Sequence, residues 1–273
     1  MAEKKQKKQK KRKRRKLKKG FVVTITLIMI LLVATAAVFT VVRFVPDIGI
    51  MPIKTVSVTG ETPYSYEQVI RASGVELGKS VLKVSLSGTE KNIEKKLPYV
   101  KTASVSYSLN GELKITLTPA EIKYQFKRGS IYYLTDDNCK IVDTSSERLD
   151  TATLIYGVPS AEDMSPGNNA VADKNNDVYK RAKTVEEAAS GYNIIFDVID
   201  AENENDIYAV YGGKFYVEIG SSSYLEEKLN HFGAMIPKLA GEDEGRILLE
   251  NWTPSNRKVS LLSCSIDDLI KKY

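Results

Sequence analysis

Histidine is nearly absent from this 273-residue chain: its one copy is His231. A Ser–His or Cys–His pair would have to use that residue, yet it sits between core positions of a helical stretch with no visible catalytic partner. It reads as a surface or part-buried helix residue. Cysteine is scarce too. Cys139 and Cys264 are too few for a disulfide scaffold, and no C-x-x-C or His/Cys cluster suggests structural zinc. Whether the two pair or remain separate thiols stays open. The strings G-x-G-x-x-G, G-x-x-x-x-G-K and G-x-S-x-G do not occur. Asp136-Asp137 reads as a turn, and Asp197 with Asp200 lacks a third carboxylate. Glu242-Asp243-Glu244 reads as a solvated loop, with weak calcium binding as the lesser alternative. The reading is a non-enzyme with no catalytic, cofactor-binding or metal-ligating residues and no cofactor.

Acidic residues are missing from one place in particular. Met1–Gly20 holds thirteen Lys or Arg and one acid, Glu3. Phe21–Val42 then runs without a charge, and as a helix of ~1.5 Å per residue it reaches ~33 Å, enough for a ~30 Å hydrocarbon core. Arg43 marks the far interface. The basic excess predicts that residues 1–20 form a cytoplasmic tail, 21–43 a single-pass transmembrane helix, and everything after them an extracytoplasmic part. The triplet Ala34-Thr35-Ala36 offers a rival reading, a cleaved signal peptide, against which the apolar run continues past it. Residues 21–273 carry 27 of the 40 bases and 33 of the 34 acids, so the basic pI of the chain belongs to its tail. With no aromatic residue to stack on a base, that tail suits anionic membrane lipid rather than nucleic acid.

Beyond a connector at 44–52, residues 53–120 predict a β-α-α-β-β module. Ile53–Val58 alternates as a strand does. Ser65–Gln68 and Ser87–Glu90 each read as a capping box, and Gly74 and Pro98 end the two helices. Val100–Leu109 and Glu112–Thr118 flank Asn110-Gly111, a hairpin signal that calls for a type I′ turn.

These residues resemble a known family. Ile53–Gly60, Ser65, Ser73-Gly74-Val75, Leu82, Ile93, Leu97-Pro98-Tyr99-Val100-Lys101, Ala103-Ser104-Val105 and Leu113–Pro119 look like the membrane-proximal POTRA domain of the FtsQ/DivIB bacterial division proteins. Leu-Pro-x-Val-Lys-x-Ala-x-Val is the most specific part. The family often has Glu-Arg-x-Pro near the module's end, where this chain has Leu117-Thr118-Pro119-Ala120-Glu121.

Residues 121–262 resemble the family's β domain more loosely, and 263–273 form a C-terminal tail. Strands are expected at Tyr124–Phe126, Ile131–Leu134, Lys140–Val142, Leu154–Tyr156, Ile194–Ile199, Ile207–Tyr211, Lys214–Ile219, Gly245–Asn251 and Lys258–Leu262. Cys139 stands where the family usually has a turn glycine. Ala161–Asn176, rich in small and polar residues, predicts a mobile loop. Val178, Ala182, Val185 and Ala189 predict one helix. Ser223–Glu226 caps another, with a core stripe of Leu225, Leu229, Phe232, Ile236 and Leu239. The fold class is therefore α+β: one transmembrane helix, a POTRA domain, and a mixed, mostly antiparallel β domain with covering helices.

The resemblance implies a scaffold of the division septum in the cell membrane. Its partners would be FtsL-like and FtsB/DivIC-like single-pass division proteins, with the septal penicillin-binding protein as a further one. An incoming strand would add beside the last strands, at Arg246, Ile247, Leu248, Leu249, Lys258, Val259, Ser260, Leu261 and Leu262, with Trp252 as apolar anchor or core residue. The alternatives are a POTRA-containing envelope transport or assembly protein and an exported hydrolase.

Overall fold

The computed structural model describes residues 19–44, 51–239 and 244–273. Most of the basic tail, most of the connector and most of the acidic loop at 242–244 lie outside the described residues. Helix α1 (Lys19–Phe44) contains the stretch Val23–Thr40, long and apolar enough to cross a membrane. Its threonines bond back to their own helix: Thr35 Oγ1 donates to Leu32 O (2.9 Å) and Thr40 Oγ1 to Ala36 O (2.8 Å). The hydroxyls therefore need no outside partner in lipid.

The first module comprises β1 (Thr55–Thr59), α2 (Tyr66–Ser73), α3 (Leu86–Lys96), β2 (Val100–Tyr107) and β3 (Glu112–Pro119). Its sheet runs β1-β3-β2, with β1 parallel and β2 antiparallel to β3. Ser65 and Gln68 form the expected capping box on α2, and Gly74 ends that helix left-handed at φ 67. Val69, Ile93, Leu97, Leu113 and Ile115 are among the buried residues between helices and sheet.

Two local expectations are corrected here. Helix α3 is capped by Ser85, whose hydroxyl accepts from Gly88 N, so Ser87 lies inside the helix. Glu90 cannot close a box because its carboxylate is engaged by the Val105 amide. The hairpin is not a type I′ turn. Gly111 takes φ 96 but Asn110 is not left-handed. The Gly111 amide donates to Ser108 O and the Ser108 amide to Glu112 O, giving a three-residue loop with a left-handed glycine at its end. The Asn110 side chain settles this form by accepting from Glu112 N at 3.1 Å.

The second module is built on one nine-stranded sheet. Its strands are β4 (Tyr124–Arg128), β5 (Ile131–Thr135), β6 (Ile141–Ser145), β7 (Thr153–Tyr156), β8 (Val198–Asp200), β9 (Ile207–Tyr211), β10 (Phe215–Gly220), β11 (Gly245–Leu248) and β12 (Ser260–Ser263). Their order is β12-β11-β10-β9-β8-β7-β4-β5-β6. Helices α4 (Asp177–Ser190) and α5 (Leu225–Leu239) share the main core with the sheet. A shorter helix, α6 (Asp267–Ile270), belongs to a segment whose Ile266 and Tyr273 bury against Leu154, Val198, Val210 and Tyr216.

Cys139 takes φ 62, the left-handed conformation that favours glycine, as expected at this turn. Gly212 and Gly213, at φ 61 and 66, form the expected tight hairpin. Other expectations change. The strand expected at 194–199 shortens to Val198–Asp200, because Ile194 N instead bonds Ala189 O at the end of α4. Helix α5 follows Tyr224, left-handed at φ 56, whose carbonyl takes the Lys228 amide, so Ser223 stands one residue too far out to cap it. The segment 161–176 is pinned rather than loose. Asn168 O accepts from Ile141 N, Ile141 O from Gly167 N and Cys139 O from Ala170 N, and Met164, Ala170 and Val171 are buried.

The two modules meet along a polar seam. Tyr99 Oη donates to Asp143 Oδ2 (2.5 Å), Lys101 pairs with Asp137 (2.8 Å), and Lys140 Nζ donates to the Val100 carbonyl. The bond to Asp143 pushes the Tyr99 phenol up to about 12.

Near the seam, Glu186 of α4 lies between Lys123 (2.8 Å), the Tyr124 hydroxyl (2.8 Å) and Lys183 (3.4 Å). Burial works against its charge, but the bonds from Lys123 and Tyr124 and the charge of Lys183 outweigh it and hold the pKa below the ordinary carboxylate value. A depressed carboxylate stabilises the fold above its unfolded pKa, and that contribution is lost as pH falls through the folded value. Glu186→Ala is therefore expected to cost about 2–3 kcal/mol at pH 7, the exposed Lys123 being partly screened. The deficit should shrink in acid, below the ordinary carboxylate range, as followed by thermal melts against pH.

Candidate partner-binding edge

The expected partner-binding residues fall on three different kinds of position. β11 is flanked by β10, parallel, and by β12, antiparallel. Arg246, Ile247, Leu248 and Leu249 therefore have no free edge, and Ile247 and Leu249 are fully buried. This corrects their part of the expectation, since an interior strand has its backbone already paired. Arg246 instead pairs with Glu218 of β10, whose bond raises the pKa of the guanidinium. Trp252 is 4 % exposed, its ring 5.7 Å from Tyr224 and 5.5 Å from His231. It is a packing residue behind the edge, and His231 is part of its wall.

β12 is the terminal strand of the sheet. The direction of its backbone groups follows from its neighbours. Gly245 N donates to Lys214 O (3.0 Å) and Leu249 N to Glu218 O (2.9 Å). Successive strand residues turn their N–H and C=O to opposite sides. Gly245, Ile247 and Leu249 thus face β10, while Arg246 and Leu248 face β12. In register Arg246 stands opposite Leu262, and Leu248 opposite Ser260. Ser260 and Leu262 are bonded inward, and Leu261 between them turns its amide and carbonyl outward. The Leu261 side chain packs on the main core, whereas that of Leu262 is 47 % exposed. Lys258 is exposed and Val259 half-buried at the approach to the strand. No sequence signal gives this parity, because it depends on which strand β11 joins on its other side.

The chemistry around the edge is sparse. Among the described residues no group of three or more His, Cys, Asp or Glu could hold a metal ion. Both cysteines are free thiols, Cys139 buried and Cys264 exposed. Burial pushes the Cys139 thiol up, and its Sγ lies 3.2 Å from the Tyr179 hydroxyl.

The β-α-α-β-β module has relatives. Residues 51–118 match the family described as "POTRA domain, FtsQ-type". The chain is also 27 % identical over 128 residues to the cell division protein FtsQ of Corynebacterium glutamicum. Residues 51–118 are thus a POTRA domain of the FtsQ type, and the chain is similar to an FtsQ protein. That match spans 47 % of this chain and 53 % of the relative, about half of each. In this chain the POTRA domain follows an apolar N-terminal helix.

Proposed function

We propose that this chain is a non-enzymatic scaffold of the bacterial division septum that captures a strand of a partner along the free edge of β12. The outward-facing backbone of Leu261 carries the reading. Such an edge pairs with any strand through main-chain hydrogen bonds, and its side chains then select among strands. The partners are FtsL-like and FtsB/DivIC-like single-pass division proteins, through which the chain helps place the septal penicillin-binding protein. Helix α1 anchors it in the cell membrane, with the basic tail in the cytoplasm on anionic lipid and both folded modules outside.

A fluorescent fusion of the full chain tests the assignment. A ring at mid-cell in dividing cells is expected. An even membrane signal would overturn it in favour of an envelope transport or assembly role.

A further inference from the structure

The POTRA sheet has an outer strand of its own. β2 lies at one edge of that sheet, and Thr102–Tyr107 carries no charge and no proline, the devices that normally keep an edge from pairing. Ser108 N donates to Glu112 O, while Ser104 and Ser106 stand opposite Thr116 and Lys114 of β3. Even-numbered residues thus face β3, and Ala103 and Val105 point their amides outward. Neither amide is left open. Glu94 Oε1 accepts from Ala103 N at 2.9 Å, and Glu90 Oε1 accepts from Val105 N at 2.8 Å.

The fit has a geometric basis. Glu90 and Glu94 lie four apart on α3 and so share one face. Four helical residues advance ~6 Å, and two strand residues advance ~6.6 Å. A helix running antiparallel to β2 can therefore meet alternate amides with successive carboxylates. Each oxygen occupies the place where the carbonyl of an added strand would stand.

We propose that Glu90 and Glu94 seal the POTRA edge against strand addition, and that the strand they exclude is β2 of a second copy of this chain. Two copies of β2 related by a two-fold axis would pair antiparallel, uncharged run against uncharged run. The seal closes β2 and does not touch β12, and it stands apart from the role proposed for β12, because neither readout below involves a partner.

The test uses the full chain in detergent micelles. At low protein concentration, E90A/E94A should speed amide exchange at Ala103 and Val105 by about ten- to a hundred-fold, the effect of losing one charge-assisted hydrogen bond. At high concentration the same variant should form a dimer by sedimentation while the wild type stays monomeric. E90Q/E94Q keeps an acceptor oxygen on each side chain and should remain monomeric. The single variants E90A and E94A should free Val105 and Ala103 separately, which keeps the test informative if the double variant does not fold. Unchanged exchange at both amides, a monomeric E90A/E94A, or a Gln variant that dimerises like the Ala variant would overturn the proposal.

Discussion

Leu261→Pro is expected to abolish capture of the proposed FtsL-like and FtsB/DivIC-like partners while leaving both modules folded. The Leu261 amide points away from β11, so proline there removes no bond within the sheet. It does remove the one donor that β12 offers between Ser260 and Leu262, and its ring stands in the path of an added strand. Ser260 is already extended, as the residue before a proline must be. Leu261→Ala separates this from side-chain packing, since it trims the same contact with the core but keeps the amide, and it should retain capture. Ser260→Pro should behave differently again. Its amide faces Leu248, so the substitution would break a ladder bond and detach β12 from its own sheet. Co-purification of the partners from cells expressing each variant, with melting curves alongside, reads all three. Full capture by Leu261→Pro would remove β12 as the receiving edge.

Phe232→Ala is expected to lower the stability of the β domain by about 3–5 kcal/mol, the range for deleting a buried aromatic ring. Phe232 is fully buried, stacked on Phe196 at 5.8 Å and edge-on to Tyr211 at 5.3 Å. It pins α5 to the sheet, and the preceding residue on that helix, His231, forms part of the wall around Trp252. The cavity therefore opens between helix and sheet, where neither can close it without moving the other. For a domain of this size the melting temperature should fall on the order of 10 °C. Ile195→Ala, at a side chain 72 % exposed, should change it little. Equal melting temperatures for the two variants would show that α5 does not depend on the Phe196–Phe232 stack.

The amino-acid sequence by itself determined the features that depend on near neighbours. The uncharged run Phe21–Val42 fixed a membrane-length helix, and Ser65–Gln68 with Gly74 fixed both ends of α2, because those bonds join residues only a few positions apart. Alternation in Val100–Tyr107 and Glu112–Pro119 marked which side chains go inward, and Cys139 took the left-handed turn expected at a glycine position. What the tertiary structure decided lies at longer range. The Ser–Glu spacing at Ser87–Glu90 read as a cap, yet Glu90 turned to Val105 because β2 offered an outward amide at the right height. Segment 161–176 looked like open loop but is held by Cys139 and Ile141. Trp252 is buried, and Arg246–Leu249 lost their edge once β10 and β12 closed on either side. Side-chain periodicity reports the face a residue occupies, and it is silent on which way the perpendicular N–H points. That direction is set by the pairing of strands distant in sequence, and in this protein it separates the edge left open at Leu261 from the edge closed by Glu90 and Glu94.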